Sequence, residues 1–456
     1  MNKFSKWLIC GAVATIAMPA LATSGDANLK SDITRWFSSV LENNNVSRFS
    51  PDKKIKISDI AATDSLVWSA WVDANRKLDE EKLPSPRPIA SGDSGEWKIP
   101  ANLEADATMK YYWGSKGDMP AGGYPLFLYL HGSGAPDREW SNGLYFARTF
   151  ADSPSVYFVP KIPRTGEWYR WWQKSKQYAW EKLLRQALAS GEIDPDRVYF
   201  FGISEGGYGS QRLASFYADY LAAAGPMAGG EPLANAPAEN CRNIAFSLRT
   251  GDRDFGFYRD KLTRYTKEAF DSLLALHPAG YVHNIELIPG YGHAIDYRPT
   301  TPWLSAFKRN PYPKKVSWED FEMDGIHRTG FYNLQVMERP AAKKRTRYEM
   351  NITGNNVDIT VSNVDYSTVE TDSKWGIALK FARSYTTATT GKFRVYLNGS
   401  LVNLDRPVTL TVNGKRVFCG KVKCTLDNML ESCAQFHDPR RLYPASIDVD
   451  LSKFQK

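Results

Sequence analysis

Residues 198–209 read Val-Tyr-Phe-Phe-Gly-Ile-Ser-Glu-Gly-Gly-Tyr-Gly, and this stretch constrains the fold more than any other. Val198 to Phe201 are β-branched and aromatic, the composition of a buried strand. Gly202-Ile203-Ser204-Glu205-Gly206 fits G-x-S-x-G, and Gln211 to Tyr220 reads as a helix. A strand that turns sharply into a helix through two glycines holds the serine in a strained, exposed position. Its hydroxyl is open to a base there, while amides at the helix N-terminus point at the reacting oxygen. The five-residue pattern is weak alone and gains weight from its strand–turn–helix setting. The competing reading is a structural turn with an idle serine.

Apolar runs on both sides of this stretch set the fold class. Pro125 to Leu130 is nearly continuous and reads as a parallel strand covered on both faces. Met109–Trp113, Val156–Val159, Leu221–Ala224, Ile244–Leu248 and Asn284–Ile288 are further strand candidates. Helical patterns fall between several of them, with Trp180, Leu183, Leu184, Ala187 and Leu188 on one face, and again over Asp260–Leu276. This alternation predicts an α/β fold with a mostly parallel sheet, binding ligands at the carboxyl ends of its strands.

The expected organisation has four parts. Residues 1–22 carry Lys3 and Lys6, an apolar run and an Ala20-Leu21-Ala22 cleavage site, which predicts an exported protein, periplasmic or extracellular. Residues 23–107 are expected as a helical cap, with helices over Ser31–Asn44 and Asp64–Leu78. Residues 108–310 form the catalytic unit, and residues 311–456 a separate β-rich domain. In the latter, Asn351–Val361, Phe393–Leu397, Val408–Val412, Arg416–Cys419 and Ser446–Leu451 read as strands. Asn413-Gly414 signals a tight hairpin. The apolar run in residues 1–22 is too short for a membrane helix, and no second run is long enough to span a bilayer. The net charge of +8 on 456 residues, without a basic run interleaved with aromatics, argues against nucleic acid as partner. Of the cysteines, Cys419, Cys424 and Cys433 lie close enough for one local bridge in an oxidising compartment, and Cys241 is expected as a free buried thiol.

A serine needs a base and an orienting acid to act as a nucleophile. Among the six histidines, His131 belongs to a turn suited to an oxyanion region, His277 ends a helix, and His283 starts a strand at the wrong end of the sheet. His327 and His437 lie in the C-terminal segment. His293 follows a strand through Pro289-Gly-Tyr-Gly292 and is the candidate base. The acid is sought after Ile244–Leu248, where Asp252 and Asp254 both qualify. Asp254 is favoured because its place after Gly251 gives the chain room to bend toward the histidine.

The order Ser204, Asp254, His293 is that of the α/β-hydrolase fold, and the segment from about Thr108 to Leu304 resembles that superfamily. It is similar to the secreted branch that includes polyhydroxyalkanoate depolymerase-like, feruloyl-esterase-like and prolyl-oligopeptidase-type enzymes. His131-Gly132, the serine elbow, Gly251-Asp-Arg-Asp254 and Gly292-His293 carry the resemblance. It implies acyl transfer through a covalent intermediate without metal or organic cofactor. The Glu205 amide would stabilise the oxyanion, together with that of Ser133 or Gly132. The expected substrate is a small-molecule or polysaccharide ester, with a peptide bond, or a non-catalytic binding role, as alternatives. Against the peptidase, the N-terminal region is too short for a seven-bladed propeller. Trp168, Tyr169, Trp171 and Trp172, and Tyr291 beside the histidine, either line the substrate cleft or pack a lid onto the core.

Overall fold

The computed structural model describes residues 24–43, 48–342 and 344–454; the expected leader, 1–22, lies outside the described residues. The central sheet has eight strands. They are β1 (Ser94–Lys98), β2 (Thr108–Lys116), β3 (Tyr124–Leu130), β4 (Ser155–Pro160), β5 (Ile193–Ile203), β6 (Ala223–Met227), β7 (Ala245–Gly251) and β8 (His283–Ile288). Their order is β1-β2-β4-β3-β5-β6-β7-β8, the α/β-hydrolase arrangement. β2 pairs antiparallel with both β1 and β4, and the pairings from β4–β3 through to β7–β8 are parallel. β1 precedes residue 108, so the sheet starts earlier than the sequence suggested. Every residue of β3 is buried, as its unbroken apolar run requires of a strand with helices on both faces.

The helices are α1 (Ser24–Asn43), α2 (Ile60–Lys77), α3 (Pro136–Thr149), α4 (Lys174–Ser190), α5 (Glu205–Phe216), α6 (Arg259–Leu276), α7 (Thr300–Ser305) and α8 (Leu426–Phe436). α1 and α2 form their own small core with α8, in which Ile33, Phe37, Trp71, Met429, Leu430 and Cys433 are buried. Trp71 stacks on His437 at 5.1 Å. The N-terminal helices are therefore tied to the C-terminal part of the chain.

Ten strands make up the rest: β9 (Lys315–Asp320), β10 (Gly330–Phe331), β11 (Leu334–Glu338), β12 (Arg345–Thr353), β13 (Asn356–Thr371), β14 (Ala378–Thr387), β15 (Lys392–Leu397), β16 (Val408–Val412), β17 (Lys415–Gly420) and β18 (Ala445–Asp450). They build a four-stranded sheet, β10-β11-β15-β18, and a six-stranded one in which β14 pairs with β13. Asn413 and Gly414 both have positive φ, 49° and 76°, as the tight hairpin demands. The single strand expected over Asn351–Val361 is instead a hairpin. β12 stops at Thr353, Gly354 turns with φ 59°, and β13 returns antiparallel to it.

These sheets share one hydrophobic core with the α/β sheet. Phe216 meets Phe321 at 5.6 Å, and the Tyr220 hydroxyl donates to the Phe436 carbonyl at 2.6 Å. The local disulfide is not formed: Cys419 is exposed on β17, whereas Cys433 is buried in α8. Cys241 is a free buried thiol, and burial pushes its pKa up to about 12.

Candidate active site

β5 delivers Ser204 at the carboxyl edge of the sheet. Its φ of 58° and ψ of −114° are strained for a residue with a side chain. The close approach of neighbouring backbone requires the glycines here. A Cβ on Gly206 would run into the Leu130 carbonyl, and one on Gly202 into the Gly206 carbonyl. The Ser204 amide donates to the Met227 carbonyl at 2.9 Å, which ties the turn to β6. α5 starts at Glu205, immediately after the serine and earlier than the sequence suggested.

Two turns bring the other side chains to this edge. The turn after β7 carries Asp254 and that after β8 carries His293. The Arg253 amide donates to the Tyr291 carbonyl at 2.9 Å and the Asp252 amide to the Ile288 carbonyl at 3.0 Å. The Asp252 carboxylate accepts the Gly290 amide at 2.8 Å. A Cβ on Gly251 would collide with the Tyr291 and Gly292 carbonyls, so the glycine permits this contact. Asp252 thus braces the histidine turn, whereas Asp254 reaches the ring itself.

His293 Nδ1 lies 2.7 Å from Asp254 Oδ2, and Nε2 lies 2.9 Å from Ser204 Oγ. With Nδ1–H donating to the carboxylate, Nε2 is left to accept the serine proton. The Asp254 side chain is 2% exposed and that of His293 45%, so the acid is enclosed and the base open. Burial pushes the Asp254 carboxyl up, but hydrogen bonds from His293 and Arg259 outweigh it and hold it below the usual carboxylate range. Arg259, at the start of α6, was not singled out from the sequence. It donates through Nε and Nη2 to Asp254 at 2.8 and 2.6 Å, and through Nη1 to the Tyr208 hydroxyl at 3.3 Å. A five-residue offset across an irregular turn gives no sequence signal for such a pair.

The loop after β3 lies opposite. A Cβ on Gly132 would stand 3.4 Å from the Ser204 Cβ. The Tyr169 hydroxyl donates to the Gly132 carbonyl at 2.5 Å. A trans peptide with its carbonyl turned to Tyr169 turns the Ser133 N–H the opposite way. His131 is fully buried; its Nε2 accepts the Ile162 amide at 3.1 Å, which leaves Nδ1 protonated. Burial pushes its pKa down to about 4, so the ring stays neutral. His131 is a prop for the loop.

The aromatic candidates divide. Trp171 is fully buried, donates to the His131 carbonyl at 2.9 Å and fills the space beside Gly209. It cannot contact a substrate, which corrects the sequence expectation. Tyr169 is buried too. Trp172 is half-buried with the Arg212 guanidinium 4.1 Å over its face. Trp168 is half-buried with Lys176 5.6 Å over its ring. Tyr291, beside His293, is 49% exposed.

The Glu205 side chain is 11% exposed, with Arg170 3.4 Å away. One of its carboxylate oxygens is buried without a hydrogen-bond partner. Burial, opposed by Arg170, pushes the carboxyl up to about 7. Among the described residues no group of three His, Cys, Asp or Glu could hold a metal ion, and no helix is long and apolar enough to cross a membrane.

No family model and no curated protein matches this chain. Among solved structures it is similar to a thermostable esterase, at 20% identity over 48% of this chain and 63% of that one, with a TM-score of 0.38. The match spans under two thirds of that esterase. It is also similar to a poly(3-hydroxybutyrate) depolymerase from Bordetella parapertussis, at 15% identity over 44% of this chain and 84% of that one, TM-score 0.35. A third is an S-formylglutathione hydrolase from Staphylococcus aureus, at 13% identity over 47% and 98%, TM-score 0.35. The likeness is one of fold and covers about half of this chain.

Proposed function

We propose that this protein is an exported serine hydrolase that cleaves carboxylic esters, acting on acyl groups carried by a polysaccharide. The observation that carries the reading is the continuous hydrogen-bond chain from Ser204 through His293 to Asp254, at 2.9 and 2.7 Å, set on a strained strand-to-helix turn. Ser204 Oγ attacks the ester carbonyl while its proton passes to His293 Nε2. Asp254 keeps the ring in the right tautomer and stabilises the cation that forms. The tetrahedral oxyanion takes hydrogen bonds from the Glu205 amide at the start of α5 and from the Ser133 amide; one such donor is worth ~10²–10³ in rate. His293 then protonates the leaving alcohol. Water, deprotonated by the same nitrogen, releases the acid and restores the serine. The basic, apolar leader of residues 1–22 supports export.

A fluorophosphonate probe tests the nucleophile, and acetyl, feruloyl and peptide reporters test the bond cleaved. The expected result is labelling of the wild type, none of Ser204→Ala, and turnover of ester over peptide. An unlabelled wild type, or equal labelling of the variant, refutes the assignment.

A further inference from the structure

The C-terminal sheets reach the rim of the candidate active site. β13 and β14 form a hairpin with register shifts around Glu370. Its connecting loop, 372–377, lies against the turn that follows Asp254. The Tyr258 hydroxyl donates to Asp372, and Lys261 pairs with Glu370, which also accepts the Tyr265 hydroxyl at 2.5 Å. Asp372 further accepts the amides of Lys374 and Trp375 at 2.8 and 2.6 Å, so the tip is organised from within.

This docking leaves aromatic rings in solvent. Trp375 is 57% exposed and Phe257 55% exposed, with ring centroids 5.9 Å apart and planes tilted by 40°. The Arg259 guanidinium that grips Asp254 is 5.8 Å from the Phe257 ring. Phe257 and Tyr258 have φ of 51° and 60°, a left-handed conformation rare for aromatic residues. Phe255, next to the acid, is 67% exposed. Large rings left in solvent beside a reactive centre mark a binding surface.

The charges around them say what it binds. Three acids of this rim are paired with cations, Asp254 with Arg259, Asp260 with Arg264 and Glu370 with Lys261, while Asp372 accepts from the Tyr258 hydroxyl and two backbone amides. Lys374 is exposed and forms no salt bridge among the described residues; Lys380, exposed too, lies across from Glu370 in the hairpin and 4.8 Å over the Tyr265 ring. Lys374 stands 5.0 Å over the Trp375 ring. Flat rings beside exposed lysines suit a ligand with apolar ring faces and anionic edges. A lipid surface calls for a larger continuous apolar patch.

We infer that Trp375 and Phe257, with Lys374 and Lys380, form a docking surface for a carboxylate-bearing polysaccharide. The CH faces of uronate rings lie on the aromatics and their carboxylates meet the cations. The C-terminal β region thereby supplies part of the substrate surface. The inference rests on the proposed ester-hydrolase reading for its place beside the reacting bond, while the binding itself does not need Ser204.

The test uses the full mature chain carrying Ser204→Ala, with polygalacturonate as probe and unsubstituted xylan as the neutral comparison, read by titration calorimetry. The expected result is binding of polygalacturonate that weakens with salt, with about a tenfold loss on adding Trp375→Ala, as for an aromatic anchor. Lys374→Gln with Lys380→Gln flattens the salt dependence. No binding of polygalacturonate, equal binding with and without Trp375, or xylan bound as tightly overturns the inference. Turnover of p-nitrophenyl acetate by the wild type separates the two readings. Turnover without glycan binding refutes only the docking surface, and glycan binding by a wild type that turns over no ester refutes only the hydrolase.

Discussion

Arg259 holds both carboxylate oxygens of Asp254, with Nε 2.8 Å from Oδ2 and Nη2 2.6 Å from Oδ1, while His293 shares Oδ2. The pair is nearly enclosed, with side chains 11% and 2% exposed. Asp254 is therefore oriented from behind before the imidazole reaches it. Arg259→Met leaves a buried carboxylate with only His293 to answer it, and stability falls by about 3 kcal/mol. The Asp254 carboxyl, now held low by His293 and Arg259 together, rises once Arg259 is gone. A depressed carboxyl stabilises the fold above its ordinary value and loses that contribution as pH falls. The stability deficit of Arg259→Met, measured by denaturation, therefore shrinks as pH is lowered through the usual carboxylate range. A deficit that stays constant across that range refutes this role for Arg259.

Asp252 and Asp254 both qualify as the acid in the sequence, with Asp254 favoured, and their contacts separate them. Asp254 meets the ring at 2.7 Å, whereas the Asp252 carboxylate accepts the Gly290 amide, at 2.8 Å. Asp254→Asn is expected to lose about 10⁴-fold in kcat, the scale for an acid that fixes the tautomer. Asp252→Asn keeps most of the activity and loosens the histidine turn. Steady-state kinetics on a small ester decides, and the reverse ranking moves the acid to Asp252.

Strands β2 to β8 and the Ser204–Asp254–His293 order were legible because they rest on local signals, apolar runs and glycine turns. The geometry that joins them was not. α5 was placed too late because Gly206, Gly207 and Gly209 mask its first turn; Gly206 and Gly207 admit neighbouring backbone and Gly209 the Trp171 side chain, against their low helix propensity. α3 went unread although Pro136, Asp137 and Glu139 open it as helix starts do. The sequence leaves Trp171 open between cleft and packing because composition cannot tell a stacked platform from a buried prop. Arg259 and Trp375 carry no local signal: one acts across a turn, the other from a hairpin more than a hundred residues away in sequence.

Tyr169 anchors the loop that offers the Ser133 amide, through a 2.5 Å bond to the Gly132 carbonyl. Tyr169→Phe keeps the buried ring and removes the bond. We expect kcat to fall about tenfold, less than the ~10²–10³ for deleting an oxyanion donor outright, with KM little changed. An unaltered kcat assigns the stabilisation of the oxyanion to other donors.

Glu205 places a carboxyl beside the nucleophile with burial pushing it up to about 7. For a raised carboxyl the sign is opposite to that of Asp254. The fold prefers the protonated form, so its contribution is complete below 4.5, the ordinary value, and is lost as pH rises through about 7. Glutamine is neutral throughout. The Tm of Glu205→Gln should draw ahead of the wild type by a few degrees as pH goes from 4.5 to 7, and stay level above it. Parallel Tm curves across that window contradict an acid titrating there.

The largest consequence for stability lies in the fully buried charges that join the two halves of the chain. Asp219, just after α5, accepts from Arg328 at 3.0 Å and Arg441 at 2.5 Å, and Asp438 takes Arg309 at 2.6 Å and Arg441 at 2.8 Å. Asp219, Asp438, Arg309 and Arg441 have no side-chain exposure. Replacing such a network wholesale by apolar residues is often harmless, but removing one member strands the others. Asp219→Ala leaves Arg328 without its carboxylate and Arg441 with only one, at a cost of about 3–5 kcal/mol. Arg328 and Arg441 come from the C-terminal half and Asp219 from the α/β half, so the damage is shared by both. The wild type should therefore unfold in one transition, with ester turnover and far-ultraviolet circular dichroism lost at the same denaturant concentration. Asp219→Ala should shift both midpoints together. If activity disappears while a second transition of the β-rich part persists unshifted, the halves are independent and the network does not couple them.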